Sequence, residues 1–280
     1  MASTKEHNAY VPGYKPSHIQ NHTWRTAENS AAYLLPTLQA KAKVNPHLRL
    51  LDCGAGPGSI SVSLAKYIPQ GEVIATDLSE EVIQRAAELA KAEGVGNLKV
   101  QAANVYELPF ADDSFDIVHA QQVLCHLDAP VEALQSMLRV CKPGGVVALR
   151  EVDMRMWDFW PELEPLTQFN KLITLVMSSN GGNPTIGARL PSLAMQAGIP
   201  RERIQASMGA WCFSTREERE MWGGSMRDRL KDGGMRKVVL ERKLGWGEED
   251  MDKMAEAWDE WIAAEDGCFG CLNGEVIITK

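Results

Sequence analysis

Between residues 48 and 151 the sequence alternates short β-branched runs with segments of helical period, and few folds accommodate that alternation. A strand, a crossover and a second parallel strand must wind right-handed, so repeated βα units build a parallel sheet flanked by helices. "HLRLLDC" reads as the first strand and "SISVSLAKYI" as the helix behind it. "EVIATD" is the second strand. Ser79 then N-caps "EEVIQRAAELAKAEG", with glutamates at the helix's positive end and Gly94 placed for the C-cap. "LKVQAA" is the third strand, and a turn-rich link leads to a fourth at about residues 115–121. In "PVEALQSMLRVC", Val131, Leu134, Met137, Leu138 and Cys141 share a helical face, and the turn "KPGG" opens a fifth strand, "VVALREV". The expected fold class is a doubly wound α/β sheet, which binds ligands outside the carboxyl ends of its strands where strand order reverses.

After residue 152 the rhythm changes. The stretch from "RMWDFWPEL" to "QAGIP" is aromatic and helical in period, interrupted by a loop at residues 180–184. "RIQASMGAWCF" resumes a strand, a Trp- and Met-rich helical stretch follows over residues 215–264, and "GEVIIT" reads as a last strand. The expected organisation is one domain over residues 1–280. It divides into an N-terminal cap (1–45), a core (46–151), a helical insertion (152–203) and C-terminal strands and helices (204–280).

Composition narrows the function. At 280 residues, with 45% hydrophobic and 24% charged residues, the chain matches ordinary globular proteins. A net charge of -8 disfavours nucleic acid as a partner, because phosphates are gathered by basic patches. The polar N-terminus lacks the apolar run of a signal peptide, and no stretch approaches the ~20 apolar residues of a membrane span, so a cytoplasmic monomer or homodimer is expected. Among six cysteines only Cys268 and Cys271 form a CxxC; with no second pair behind it, two thiols near a strand are expected rather than a metal site.

The glycine turn after the first strand reads Asp52-Cys-Gly54-Ala55-Gly56-Pro-Gly58. Glycines here permit a tight turn and close approach of a ligand to the backbone. The spacing departs from the dinucleotide fingerprint G-x-G-x-x-G, whose third glycine would stand one place later, and no Gly-Lys-Ser/Thr follows as a phosphate-binding loop requires. Asp77, ending the second strand, is an acceptor-only carboxylate suited to a ribose diol.

This D-x-G-x-G-x-G turn resembles motif I of class I S-adenosylmethionine-dependent methyltransferases. With Asp77, with "QAANVYELPFADDSFD" and with "KPGG" in the family's order, residues 48–151 are most similar to the UbiE-type small-molecule methyltransferases. The resemblance implies a seven-stranded sheet whose last strand runs antiparallel, and S-adenosyl-L-methionine as cofactor. It also implies cofactor contacts from Asp52, Gly54, Ala55, Gly56, Asp77, Leu78, Asn104, Val105 and Gln121. Asn104 stands where the family often has Asp; an amide oxygen still accepts a hydrogen bond from an adenine amino group.

Methyl transfer needs positioning first, with a base where the acceptor carries a proton. In similar enzymes a histidine after the fourth strand and an acid ending the fifth act as base and orienting partner; His126 and Glu151 match those places. His119 reads as a core histidine. In the cap, His18 and His22 are four apart and Arg25 follows on the same face; Arg25 suits the methionine carboxylate, and Tyr10 and Tyr14 would close the pocket. His22, Trp157 and Trp160 are the expected substrate contacts, around a small, apolar or aromatic acceptor. The same fold also serves cofactor-dependent cyclases and S-adenosylmethionine-binding regulators, so binding without methyl transfer is the alternative.

Overall fold

The computed structural model describes residues 22–231 and 234–280. Tyr10, Tyr14 and His18 lie outside the described residues.

Seven strands form one sheet: β1 (Arg49–Cys53), β2 (Glu72–Asp77), β3 (Leu98–Ala102), β4 (Phe115–Gln121), β5 (Cys141–Trp160), β6 (Ile204–Phe213) and β7 (Cys268–Thr279). Their order is β3-β2-β1-β4-β5-β7-β6. The first five strands pair parallel, and β7 lies antiparallel between β5 and β6. Strand order therefore reverses between β1 and β4, giving the doubly wound sheet expected, and the glycine turn leaves β1 at that point.

The near-continuous apolar runs of the central strands are explained by burial on both faces. Leu50, Ile117, Val146 and Ala148 join one apolar cluster, while their strand neighbours Leu51, Val118, Val147 and Leu149 join another. The first cluster includes Ala27 and Leu38 from the N-terminal helices α1 (Ala27–Ser30) and α2 (Leu35–Val44), with Leu64 from α3 (Ser59–Tyr67). The second takes residues from α5 (Pro130–Val140), α6 (Glu164–Ser179) and α7 (Leu190–Gln196). It also takes residues from α8 (Arg216–Lys231), α9 (Gly234–Arg242) and α10 (Glu248–Ala263). Helix α4 (Glu80–Ala92) is capped as expected, the Ser79 hydroxyl accepting the Val82 N–H at 3.3 Å.

The helical insertion starts later than residue 152. Strand β5 continues to Trp160 because β7 also starts early and pairs it, Trp157 opposite Cys271 and Trp160 opposite Cys268. A register shift between Val152 and Trp157 interrupts the ladder. "MWDFW" is thus extended rather than helical, and the first helix of the insertion is α6, starting at Glu164. Extended backbone also separates the CxxC thiols: Cys271 is buried, whereas Cys268 lies 3.7 Å, Sγ to Sγ, from Cys212 on β6.

Candidate functional site

The glycine turn is held in one conformation by its neighbours. Gly54 and Gly58 have φ of 64° and 81°. A Cβ at Gly54 would come within 2.5 Å of Val123, and one at Gly58 within 2.2 Å of Ala86, so at both places only glycine fits. Gly56 also has positive φ, at 57°, but a Cβ there would meet nothing within 4 Å. The turn thus leaves an open space at Gly56, flanked by the ends of β1 and β2. The Ala55 N–H donates to the Thr76 carbonyl at 2.8 Å, fastening the turn to β2.

Asp77 faces this space. Its Oδ2 accepts the Gly56 N–H at 3.0 Å and its Oδ1 accepts the Ser79 N–H at 3.1 Å, with the Leu78 N–H a further donor to the carboxylate. Burial pushes its carboxyl up from the ordinary value, opposed by those backbone donors. Leu78 beside it is 68% exposed, a large apolar side chain offered to whatever lies over the strand ends. Asn104 caps the short turn Val105–Glu107, its Oδ1 accepting the Tyr106 N–H at 3.1 Å.

Asp52 is turned the other way. Its carboxylate accepts the Ser61 hydroxyl and lies 2.8 Å from His119 Nδ1, with both acid and histidine buried. It therefore fixes β1 to α3 and β4 instead of reaching a ligand, and His119 is the core residue expected. Gln121 departs from expectation for a similar reason. With its amide oriented to satisfy both neighbours, it donates to the Ser30 carbonyl and accepts from Arg150 Nη1 at 3.1 Å. The next residue, Gln122, leaves the strand with φ of 50° and turns its side chain to the site.

A cavity of about 110 Å³ lies past the end of β4, lined there by Gln122, Cys125 and His126. Its walls are largely apolar: Val152, Met154 and Trp157 from β5, Ile173, Val176 and Met177 from α6, and Trp222 and Met226 from α8. Beneath lies an aromatic stack in which Phe213 and Trp222 are 4.7 Å apart at 11°, with Phe269 next to both. Trp157 reaches the cavity as expected. Trp160 does not: it is 54% exposed and donates Nε1–H to Asp266 at 2.9 Å. Three residues apart share a helix face but lie on opposite faces of a strand.

The cap supplies His22 and Arg25. Ser59, Ser63 and Tyr67 follow at four-residue intervals along α3, and this face holds the cap. Ser59 donates to the His22 carbonyl at 2.7 Å, and Ser63 accepts the Ala27 N–H at 3.0 Å. Tyr67 donates to Glu28 at 2.6 Å; that bond and one from Thr26 hold the Glu28 carboxyl down at about 2. So docked, Arg25 donates Nη2–H to Gln122 at 2.8 Å and lies 5.0 Å from the centre of the Trp211 ring.

His126 sits in a short turn, Leu124–His126, clamped from two sides. Glu151, fully buried, accepts the N–H groups of Val123 at 3.0 Å, Leu124 at 2.8 Å and Cys125 at 3.1 Å. Asn183, in the loop after α6, donates to the Cys125 and Leu127 carbonyls, both at 2.7 Å. Glu151 therefore orients His126 through the backbone that carries it, and the expected pairing of carboxylate with imidazole is replaced by this route. Burial raises the Glu151 carboxyl to about 7 against the pull of its three donors. Burial and the charges of Arg25 and Arg229 lower His126 to about 4, and the same causes hold His22 well below its ordinary value. Both rings are neutral near pH 7.

Sequence reasoning missed Gln122 and Arg229. Gln122 follows Gln121 directly, and only the strand's end decides which of the two turns inward. Trp222, Met226 and Arg229 are spaced four and three apart on α8, a face pattern visible in the sequence without any sign of what it faces.

The methyltransferase-domain family matches residues 44–197. An uncharacterized methyltransferase of Schizosaccharomyces pombe is 33% identical over 297 residues, covering 100% of this chain and 99% of that protein. A ubiquinone/menaquinone biosynthesis C-methyltransferase, UbiE of Vibrio parahaemolyticus, is 34% identical over 125 residues, 44% of this chain and 46% of that one. Among solved structures, the YcgJ protein of a Bacillus species superposes with a TM-score of 0.56 at 20% identity, covering 88% of this chain and 97% of that chain, which shows a shared fold.

Proposed function

Because the chain belongs to the class I S-adenosylmethionine-dependent methyltransferases, we propose that it methylates a small acceptor with an apolar or aromatic body, bound in the cavity beside His126. The cavity carries this reading: a space walled by methionine and tryptophan side chains opens at Gln122, the residue before the Val123 side chain that packs on Gly54.

The residues at the strand ends fit S-adenosyl-L-methionine, which supplies an activated methyl group on a sulfonium. The open space at Gly56 admits a ligand against bare backbone, and the acceptor-only carboxylate of Asp77 beside it suits a ribose hydroxyl. Leu78 covers one face of an adenine, the Val105 N–H and Asn104 serve its edge, and Arg25, steadied by Gln122, suits the methionine carboxylate. Gly54 and Ala55 line the approach. His22, Trp157 and His126 face the acceptor, and Glu151 and Asn183 fix where His126 stands.

In-line transfer gains mostly from alignment in a dry pocket, and that is what clamped elements provide. Incubation with methyl-labelled S-adenosylmethionine and a panel of phenols, amines, thiols and carboxylic acids is expected to give labelled product and S-adenosylhomocysteine. Calorimetric binding of the cofactor with no label passed to any acceptor would instead identify a cyclase or a binding protein.

A further inference from the structure

We propose that Cys212 and Cys268 form a dithiol site which small disulfides oxidise to a cross-strand disulfide, and that this bond ties together the two ends of the helical segment covering the cavity. It is independent of the methyl-transfer reading.

Strand pairing brings the two cysteines together. In the antiparallel β6–β7 ladder Cys212 lies opposite Gly270, two places along from Cys268, and Phe213 lies opposite Phe269. Side chains diagonal across a ladder lie within reach of one another, and here the Sγ atoms are 3.7 Å apart. Closing that contact to a bond of about 2.05 Å needs only rotation of the two side chains. Alternation puts Phe213 and Phe269 on one face of the sheet, where their rings stack at 5.9 Å, and both thiols on the other.

Exposure separates this pair from the remaining cysteines. Cys212 is exposed and Cys268 half-buried, whereas Cys53, Cys125, Cys141 and Cys271 are buried, and thiols in apolar surroundings are inert. Cys271, three residues from Cys268 on extended backbone, points to the opposite face. Burial and the adjoining Cys212 thiol push the Cys268 thiol up, so Cys212 is the one that meets an oxidant first. As a thiolate it attacks one sulfur of the small disulfide, whose S–S bond breaks and releases one thiolate. Cys268 then gives up its proton and attacks the Cys212 sulfur, and the second small thiolate leaves. Two protein thiols are oxidised, one small disulfide is reduced to two thiols, and the two protein protons pass to them.

The bond joins residues 56 apart. Between them lie α8, α9 and α10, which bring Trp222, Met226 and Met235 to the cavity. Joining the ends of a segment removes conformations that it samples when they are free, so oxidation holds this cover more tightly.

The full chain is incubated with oxidised glutathione or with dithiothreitol. Oxidation is expected to lower the thiols titrated in denaturant from six per chain to the four buried ones, with Cys212 and Cys268 joined in the peptide map. Cys268→Ser should stop at a glutathione adduct on Cys212, and Cys212→Ser should react at least about tenfold more slowly than wild type. The oxidised wild type should unfold at a urea concentration higher by about 0.5–1.5 M than the reduced form, with slower hydrogen exchange in α8 to α10, and Cys268→Ser should show neither change. Unreacted thiols, a glutathione adduct that persists on wild-type Cys212, or a bridge between Cys268 and Cys271 overturns the proposal. An oxidised form no more resistant to urea than the reduced one overturns the tie across the helical segment.

Discussion

Two glycines two residues apart, Gly56 and Gly58, do different work in one turn. At Gly58 an added methyl group meets Ala86 at 2.2 Å, in a backbone conformation that alanine resists. Gly58→Ala should lower stability by about 2–4 kcal/mol, combining the left-handed strain with overpacking. Gly56→Ala carries the strain alone and should cost about 1–2 kcal/mol, yet its methyl group fills the space offered to the cofactor. Urea denaturation and S-adenosylhomocysteine calorimetry on both variants separate the effects; comparable affinity in Gly56→Ala and wild type would remove that space from the site. The place of Asp77, at the end of β2 with its carboxylate on the glycine turn, was legible in the sequence. Single residues were misread where a period of two decides the facing side, as with Gln121 beside Gln122 and Trp160 beside Trp157.

The turn after β4 is held by Glu151 on one side and Asn183 on the other, and the Glu151 side is the one that titrates. Glu151 ionises near its ordinary 4.5 in the unfolded chain but at about 7 in the folded one. Between those values the folded state binds more protons, so this contribution is complete below 4.5 and is lost as pH rises through 7. Glu151→Gln should flatten that decline in urea titrations run from pH 4.5 to 7.5. It should also cost about 1–3 kcal/mol, because the amide keeps one acceptor oxygen and leaves the Cys125 N–H facing a donor. An unchanged pH slope would show that Glu151 does not titrate in this window. At this scale most elements were legible, and the extension of β5 shows why one was not. The register shift after Val152 sets five residues of β5 against two of β7, so the cavity-lining Val152, Met154 and Trp157 fall two and three apart and lose the strict alternation that marks a strand.

Across the whole molecule, the alternation of strands and helices was enough to predict a doubly wound sheet, because handedness and burial leave little else. The convergence of Arg25 and Arg229 was not legible, since it depends on α8 folding back over a cap that precedes β1. The site thus joins the first described residues to the last third of the chain. S-adenosylhomocysteine at a hundred times its dissociation constant should add about 2.7 kcal/mol to stability. Hydrogen exchange should slow at the glycine turn, the cap and the His126 turn, leaving the β6 edge unaffected; uniform slowing would argue for a ligand bound elsewhere.

The polarity of the cavity walls along the chain has an evolutionary consequence. The residues proposed to hold the methyl donor are all encoded before Leu127, whereas the methionine and tryptophan walls of the cavity come from β5 onward. If that proposal holds, mutations in the later half can reshape the cavity while the strand ends before Leu127 are inherited intact. Substituting α6 and α8 between relatives is accordingly a way to exchange acceptor preference, with β1 to β4 kept as a common chassis.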